Sequence, residues 1–404
     1  SWAKDLYPMC RSITGDGVRK TLAYFNKLLP DLKIESVPTG TKAFDWVVPN
    51  EWNVRSAYIK DQSGRKIVDF KKNNLHVVGY SEPVNKLVDF SELNNHLHSL
   101  PDQPNAIPYV TSYYSKNWGF CISHNQRKLL KKKKYQVVID SDLKKGNLNY
   151  GEIIIKGDED KEILLSTYIC HPSLANDNLS GPIVTASLIK WIQKLKKRRY
   201  TYRVIFIPET IGSIVYLSRY LNHLKKNIIA GFVVTCVGDN NTYSFLPSRK
   251  ENTLTDRVAK NVLNHNVDSY KVYSFLDRGS DERQYCSPGI DLPICSIMRS
   301  KYNAYPEYHT SLDNLNFISP TGLQGSYDIL KKCIKLINAN FIFKTKVLCE
   351  PQLSKYNLYP KISSKINYKN GKKLQNFLAY CDGTNDLVNI SEKINEDAFD
   401  LIKL

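Results

Sequence analysis

The middle of the chain alternates between short apolar runs and longer segments whose apolar residues recur every three or four positions. Apolar runs over 162–169, 202–208 and 228–237 have the length of buried strands. The segments between them, 178–197 and 211–226, carry the spacing of amphipathic helices. This alternation predicts an α/β fold, with a mostly parallel sheet covered by helices. Runs over 270–275 and 292–298 predict further strands, and 322–341 predicts another helix.

The pattern changes towards both ends of the chain, which predicts three domains. Residues 1–33 and 141–343 would form the α/β domain, beginning with a Gly-rich turn and an amphipathic helix. Short β-rich runs such as "KIVDF", "NNLHVVGY" and "QVVID" alternate with turns over 34–140, which predicts a β-rich inserted domain. Residues 344–404 predict a small winged-helix-like domain of three short helices (374–381, 386–394 and 396 onward), with a turn at "DGTND".

Polar stretches follow four of the predicted strands. They read "CHPSLANDN", "PETIGS", "GDNN" and "YHTSLDN". Ligands of parallel sheets collect beyond the carboxyl ends of the strands, so His171, Asp177, Glu209 and His309 are expected to meet in one site. Two imidazoles and one carboxylate suit zinc with an open coordination position. A further carboxylate, Glu209, could act as general base.

Each of these four residues also has an ordinary structural interpretation. Asp177 could cap the following helix, and Glu209 could interact with the dipole of a helix first turn. A single histidine such as His309 is more often a satisfied surface or core residue. The hypothesis of a site depends on all four falling at the same predicted sheet edge.

Composition adds weaker constraints. The 404 residues carry a formal net charge of +18, from 57 Lys and Arg against 39 Asp and Glu. Lysine runs at 127–135 and 194–200 are typical of solvated helix ends, and the last predicted helices carry acidic residues where a DNA-reading helix needs basic ones, so nucleic-acid binding is not expected. Those acidic residues are Glu392, Glu396, Asp397 and Asp400.

The distribution of cysteines and apolar runs bears on location. Nine cysteines, without a CxxC pair and partly inside apolar runs, favour a reducing compartment. There is no signal-peptide pattern and no apolar run near the roughly 18 residues of a membrane span. The expectation is a soluble, cytoplasmic protein, with a homo-oligomer left open.

Several motifs together resemble a known family. The stretches "CHPSLANDNLSG", "FIPETIGS", "SDERQYCSPGIDLPI" and "EYHTSLDN" are similar to the motif series of M28-type zinc aminopeptidase-like proteins. "RSITGDGVRKTL", "GTKAFDWVVPNEWNV" and "AIPYVTSYYSKNWGFC" resemble bacterial DUF4910 and DUF2172 proteins, described as aminopeptidase-like and often linked to polysaccharide biosynthesis. The likeness extends over nearly the whole chain and implies a zinc aminopeptidase-like fold.

The resemblance implies a role for each candidate residue. His171 matches the first histidine ligand, although it lies closer to the aspartate than is typical. Asp177 matches the aspartate that bridges two metals, His309 the last histidine ligand, and Glu209 the general base. Asp281, in "SDERQY", matches an aspartate on the substrate side or behind the ligands.

Two departures from the family pattern reduce the expected metal content. Thr210 and Thr235 stand where the family has metal-binding carboxylates, so one zinc per chain, held by His171, Asp177 and His309, is expected rather than two.

Other charged residues are candidates for substrate contacts. Glu282, Asp281 and Asp239 could bind a substrate ammonium, and Arg278 and Arg283 flank the same turn and could bind an anionic group.

The sequence therefore predicts a zinc-dependent, aminopeptidase-like hydrolase. A metal-activated water would attack an amide of a small peptide or of an amide-bearing sugar precursor, in polysaccharide biosynthesis if the family link holds. The alternative is a catalytically degenerate binding or scaffold protein that uses the same pocket for a ligand and the C-terminal helices for a partner or nucleic acid.

Overall fold

A computed structural model describes residues 1–358 and 365–404, with the side chains of 365–370 left aside. Part of the predicted C-terminal domain, residues 359–364, therefore lies outside the described residues. The helices are α1 (Trp2–Leu6), α2 (Asp16–Leu28), α3 (Phe90–Asn95), α4 (His124–Lys128), α5 (Ser180–Gln193), α6 (Ile211–Asn227), α7 (Leu254–Asn266), α8 (Glu282–Tyr285), α9 (Pro320–Ala339), α10 (Lys365–Ala379), α11 (Leu387–Ile394) and α12 (Ala398–Ile402).

The strands are numbered in the same way along the described chain. They are β1 (Lys33–Pro38), β2 (Lys42–Ala43), β3 (Trp46–Val47), β4 (Glu51–Lys60), β5 (Lys66–Asp69), β6 (Val84–Val88), β7 (Leu97–His98), β8 (Phe120–Cys121), β9 (Tyr135–Lys144), β10 (Asn147–Ile155), β11 (Glu159–Tyr168), β12 (Tyr200–Ile207), β13 (Ile228–Val233), β14 (Tyr243–Leu246), β15 (Tyr270–Val272), β16 (Ile294–Met298), β17 (Ile342–Lys344) and β18 (Asp382–Asp386).

A large mixed sheet forms the centre of the described structure. Its eight strands lie in the order β1-β10-β12-β11-β13-β16-β14-β15. The four central strands, β12, β11, β13 and β16, are mutually parallel. On one side β10 pairs antiparallel with β12 and β1 antiparallel with β10, and on the other side β14 pairs antiparallel with β16. The predicted α/β fold with a large helix-covered sheet is confirmed, and its parallel part coincides with the long apolar runs.

Two of the outer strands, β1 and β14, were not predicted to belong to this sheet. Strand β1 is an edge strand whose side chains are mostly exposed, so it carries little apolar signal, and β14 has only four residues. Since β1 pairs with β10, the predicted boundary of the inserted domain at residue 34 falls inside a strand of the large sheet. The division into domains stays a prediction, and this pairing argues for a boundary after Pro38.

Successive residues of the central strands face two separate hydrophobic cores. On β11, Ile163 and Leu165 join one core, which α2, α5, α7 and α9 cover. Leu164 points the other way, into a core shared by α6, α8 and the inserted β-structure. Each such buried side chain contributes about 1.5–3 kcal/mol, so both faces hold the sheet rigidly. Among the described helices, none combines the length and the apolar character needed to cross a membrane.

The inserted β-structure contains a four-stranded antiparallel sheet in the order β5-β4-β9-β6. One predicted β-run, "NNLHVVGY", is instead a short 3₁₀ turn at Asn74–His76 followed by two isolated β-bridges, at Val77 and Gly79. The side chain of Asn73 accepts the N–H of Leu75, and this local bond favours a turn over a strand.

The C-terminal segment packs directly on the α/β core. The predicted turn "DGTND" is in fact strand β18, which pairs with β17, and a winged arrangement results. Arg257 of α7 bonds Asp386 at 2.9 Å, and Asn261 donates to Ser391 of α11 at 2.7 Å. Apolar side chains of α11, including Leu387, belong to the core that α7 and α9 cover.

Candidate metal centre

The loop after β11 carries two of the predicted ligands. It leaves the sheet at Tyr168, passes His171, and enters α5 through a single π-helical turn, Ala175–Leu179. Within that turn Asp177 has non-helical angles (φ −103°, ψ 81°), and its side chain does not cap α5. The carboxylate is therefore free to face the cleft rather than the helix end.

Three predicted ligands converge at this point. The Nε2 atom of His309 lies 3.1 Å from Oδ2 of Asp177, and Nε2 of His171 lies 3.9 Å from the same oxygen. One donor atom from each residue falls within 4.8 Å of the other two. Zinc–nitrogen and zinc–oxygen bonds of about 2.0–2.1 Å in a tetrahedron place ligand atoms somewhat over 3 Å apart, so a small contraction would complete the site.

The protonation states also suit a zinc ion. Burial lowers the pKa of His171 to about 4, so its imidazole is neutral at pH 7. Although burial raises the pKa of Asp177, the imidazoles of His171 and His309 lower it to about 2, so the carboxylate is ionised. His309 Nε2 is buried and forms no hydrogen bond of good geometry with any described residue. Two imidazoles and one carboxylate are a fitting donor set for zinc.

The second oxygen of Asp177 is already engaged. The hydroxyl of Tyr168 donates to Oδ1, and the hydroxyl of Thr235 donates to that of Tyr168 at 2.7 Å. The thiol of Cys236 also faces Oδ1, at 3.9 Å. Only Oδ2 therefore faces the two imidazoles.

Glu209 stands beside the three ligands. It lies two residues after the end of β12, and its Oε2 lies 3.8 Å from Nε2 of His171 with the side chain 20% exposed. Its backbone N–H donates to the Sγ atom of Cys170 at 3.2 Å, which links the ends of β11 and β12. Burial, with the negative charges of Asp281 and Asp177, raises the pKa of Glu209 well above its usual value, and Arg283 opposes that rise.

Asp281 supports the start of α6 rather than the ligands themselves. Its Oδ1 accepts the N–H of Thr210 at 2.7 Å and the hydroxyl of Ser213 at 2.8 Å. Thr210 has a φ of 64°, which is strained for a β-branched residue, and this pair of bonds holds it there. Burial raises the pKa of Asp281 to about 6.

The remaining predicted substrate residues do not reach the cluster. Asp239 is buried and accepts from Asn176 of the ligand loop at 2.9 Å, and Glu282 is buried and accepts the N–H of Gly279 at 2.9 Å. Neither carboxylate is open to a substrate ammonium. Arg278 is exposed, and its guanidinium lies over the ring of Phe275.

Two functional residues were missed in the sequence. Asp313 accepts backbone N–H groups from Ala175, Asn176 and Asp177, at 3.1, 2.6 and 2.9 Å. Tyr109, from the inserted β-structure, packs its ring against both imidazoles, 5.2 Å from His171 and 5.0 Å from His309 between ring centres. Asp313 lies in the quoted stretch "YHTSLDN", but only the fold shows what it holds.

The fold has counterparts among solved structures. It is the fold of zinc aminopeptidases: a zinc aminopeptidase of Bacillus subtilis aligns at a TM-score of 0.59 with 11% identity, covering 83% of this chain and 94% of that one. A peptidase M28 precursor of Shewanella amazonensis aligns at 0.58 with 13% identity, covering 86% and 93%. At such low identity the likeness concerns the fold alone.

The chain belongs to the family described as Domain of unknown function (DUF4910), which residues 1–340 match. Residues 341–404 match a winged helix-turn-helix family. A Clostridium acetobutylicum protein, provisionally named a polysaccharide biosynthesis protein with aminopeptidase-like domain, is 45% identical over 96% of this chain and 89% of its own length. A crystal structure from the same organism, provisionally described as a peptidase, aligns at a TM-score of 0.92 with 43% identity, covering 99% and 91%.

Proposed function

We propose that this protein is a hydrolase that cleaves an amide with the help of one zinc ion. The observation that carries the proposal is the convergence of His171, Asp177 and His309 beside the carboxylate of Glu209. Three protein ligands with an open position are typical of catalytic zinc, whereas structural zinc sites have four.

The surroundings of Asp177 favour one zinc rather than two. A bridging carboxylate needs both of its oxygens, and here Oδ1 accepts from Tyr168, which Thr235 fixes in turn. At the other position that lacks a carboxylate, Thr210 accepts a hydrogen bond from the guanidinium of Arg283 at 2.5 Å. A fixed positive charge there opposes a second cation.

In this proposal Glu209 is the general base. Zinc, when bound, supplies a Lewis acid that polarises the amide carbonyl and makes water more acidic. Glu209 receives a proton of the attacking water on its carboxylate and returns it to the leaving nitrogen, so the amide yields a carboxylic acid and an amine. Its raised pKa supports both transfers, because such a carboxylate accepts a proton readily and still releases it to the leaving nitrogen.

Aromatic rings shape the space above the ligands. The ring of Tyr308 stacks on that of His309 at 3.9 Å, and the N–H of Tyr109 donates to the carbonyl of His309 at 2.8 Å. These contacts fix the orientation of a half-exposed histidine and exclude part of the water. The inserted β-structure therefore contributes one wall of the proposed substrate site.

The proposed substrate is a small peptide or an amide-bearing sugar precursor. The name of the C. acetobutylicum relative supports a role in polysaccharide biosynthesis. Of the two, the name favours the sugar precursor.

Hydrolysis by zinc-loaded protein and by a Glu209→Gln variant tests the proposal. A panel of aminoacyl anilides, N-acyl amino acids and N-acetylated amino sugars would be followed by the release of amine. We expect turnover of at least one class, lowered in the variant by about 10²–10⁴-fold with zinc still bound, because only the proton acceptor is lost.

Two results would contradict this account. Undiminished turnover in Glu209→Gln would remove Glu209 as the base. Zinc and ligand binding without turnover of any class would instead favour the alternative, a protein that uses the pocket only for binding.

A further inference from the structure

Arg283 is a cation beside the candidate centre that forms no ion pair with the described residues. It lies on α8, and its Nη2 donates to the Oγ1 atom of Thr210, the neighbour of Glu209, at 2.5 Å. Its Nε atom is buried and has no hydrogen-bond acceptor among the described residues. Of its five N–H donors, this one bond accounts for one.

Covered arginines of the described chain find acceptors in two ways: Arg11 donates to the carbonyl oxygens of His171 and Leu6, whereas two others pair with carboxylates. Arg203 pairs with Glu152 and Glu162, each at 2.6 Å, and Arg257 pairs with Asp386 at 2.9 Å. Arg283 makes no ion pair with any carboxylate in residues 1–358 or 365–404. A partly buried charge without a partner is costly, and an anionic group of a ligand would supply that partner.

A purely structural role explains only part of this arrangement. Holding Thr210 does not require a guanidinium, because Asp281 already accepts the N–H of that strained residue and fixes the start of α6. The guanidinium also lies close to the candidate centre, since the residue that it bonds, Thr210, directly follows Glu209.

We propose that Arg283 binds a carboxylate group of the ligand that occupies this site, so that the ligand is an amide bearing a carboxylate and not one bearing a free ammonium. A planar guanidinium can bind a carboxylate through two parallel N–H···O bonds, and Nη1 and Nη2 of Arg283 keep N–H groups that the bond to Thr210 does not use. An ammonium at the same place would meet a fixed positive charge. That the ligand of this site is an amide rests on the function proposed above.

Isothermal titration of zinc-loaded protein with three small probes tests the assignment. N-acetylglycine carries the amide and the carboxylate, N-acetylglycinamide replaces the carboxylate by a neutral amide, and glycinamide carries an ammonium. The variants are Arg283→Met, Arg283→Lys, and Arg278→Met as the matched control, because Arg278 is exposed on the same turn.

We expect N-acetylglycine to bind Arg283→Met at least about tenfold more weakly than the unchanged protein, which corresponds to one charge-assisted hydrogen-bond pair. Arg283→Lys should bind with intermediate affinity, since a lysine keeps the charge but not the two-bond geometry. N-acetylglycinamide should bind all variants within twofold of one another, glycinamide should bind Arg283→Met best, and Arg278→Met should behave as the unchanged protein.

Direct binding of the probe's carboxylate to zinc would be equal in the unchanged protein and in Arg283→Met, because both carry the same metal. A difference in affinity between the two proteins therefore reports on Arg283. Equal affinity of N-acetylglycine for the unchanged protein and a normally folded Arg283→Met would overturn the assignment. So would the absence of measurable binding to the unchanged protein at 10⁻² M of probe, about the weakest binding that such a titration follows.

This result and the hydrolysis test can fail separately. Arg283-dependent binding without any turnover would leave the carboxylate site standing and remove the hydrolase proposal. Turnover of neutral amides that Arg283→Met leaves unchanged would remove the carboxylate site and keep the hydrolase.

Discussion

Asp313 and Arg11 hold the backbone of the ligand loop from behind. Asp313 collects three consecutive N–H groups of the turn that contains Asp177, and Tyr305 donates to its Oδ2 at 3.0 Å. Arg11, fully buried, donates from Nε to the carbonyl of His171 at 2.9 Å. Both residues act on where the ligands sit and not on the metal itself.

Replacing Asp313 by asparagine should therefore lower zinc affinity by about 10–100-fold, the usual effect of losing a partner that orients a ligand. The amide keeps one oxygen but loses the charge and the second acceptor. Competition with a chelator of known affinity measures the change, and Asp328→Asn on the surface of α9 is the matched control. Equal affinities of the two variants would show that Asp313 does not position the loop.

The site residues differ in how far the sequence could reveal them. His171, Asp177, Glu209 and His309 each follow a strand of the parallel sheet, so position along the chain was enough to group them, and the structure brings all four together. Position along the chain did not show which of two nearby arginines, Arg278 or Arg283, lies beside the site. Both flank one turn, and only the direction of α8 decides that Arg283 faces the cleft while Arg278 faces solvent.

Asp313 and Tyr109 could not be found from the pattern either. The first acts through backbone groups more than a hundred residues away, and the second comes from the inserted β-structure. Neither relation leaves a local signal in the chain.

Helix α2 is tied to the inserted sheet by a charged pair. Arg19 of α2 donates to Oε1 of Glu51, the first residue of β4, at 2.6 Å and to its Oε2 at 2.8 Å. The hydrogen bond from Arg19 lowers the pKa of Glu51 from its usual 4.5 to about 2. A carboxylate with a lowered pKa stabilises the fold fully above pH 4.5, and this contribution is lost as pH falls towards 2.

Glu51→Gln should accordingly be less stable than the unchanged protein at pH 6, with the difference shrinking as pH falls from 4.5 towards 3. Urea unfolding midpoints at several pH values measure it. Glu35→Gln, in the neighbouring edge strand β1, is the control, because its contact with Arg219 is longer, at 3.8 Å, and more exposed. A difference that stays constant over this range would show that the pair does not carry the effect.

Elements were predictable where burial on both faces produced a long apolar run. Strands β11, β12 and β16 are of this kind, whereas helices α5, α6 and α9 were predictable from apolar residues recurring every three or four positions. Strand β18 was taken for a turn because "DGTND" has turn residues, and its pairing with β17, some forty residues earlier, outweighs that local preference. The same competition between local and distant bonds explains why "NNLHVVGY" is not a strand.

The whole molecule is held together across its sequence divisions. The C-terminal winged unit shares a hydrophobic core with α7 and α9, and Arg257 and Asn261 bond to it. The inserted β-structure shares the opposite core with α6 and reaches the ligands through Tyr109. The candidate centre lies where the α/β core and the inserted β-structure meet, at the carboxyl ends of the parallel strands.

The central claim is a single zinc ion held by His171, Asp177 and His309, and metal analysis of the purified chain tests it most directly. Inductively coupled plasma mass spectrometry would count zinc in the unchanged protein and in His171→Ala and His309→Ala, with circular dichroism to confirm folding. The account predicts one zinc per chain in the unchanged protein and almost none in either folded variant. Two zinc ions per chain, no zinc at all, or undiminished zinc in both variants would contradict it.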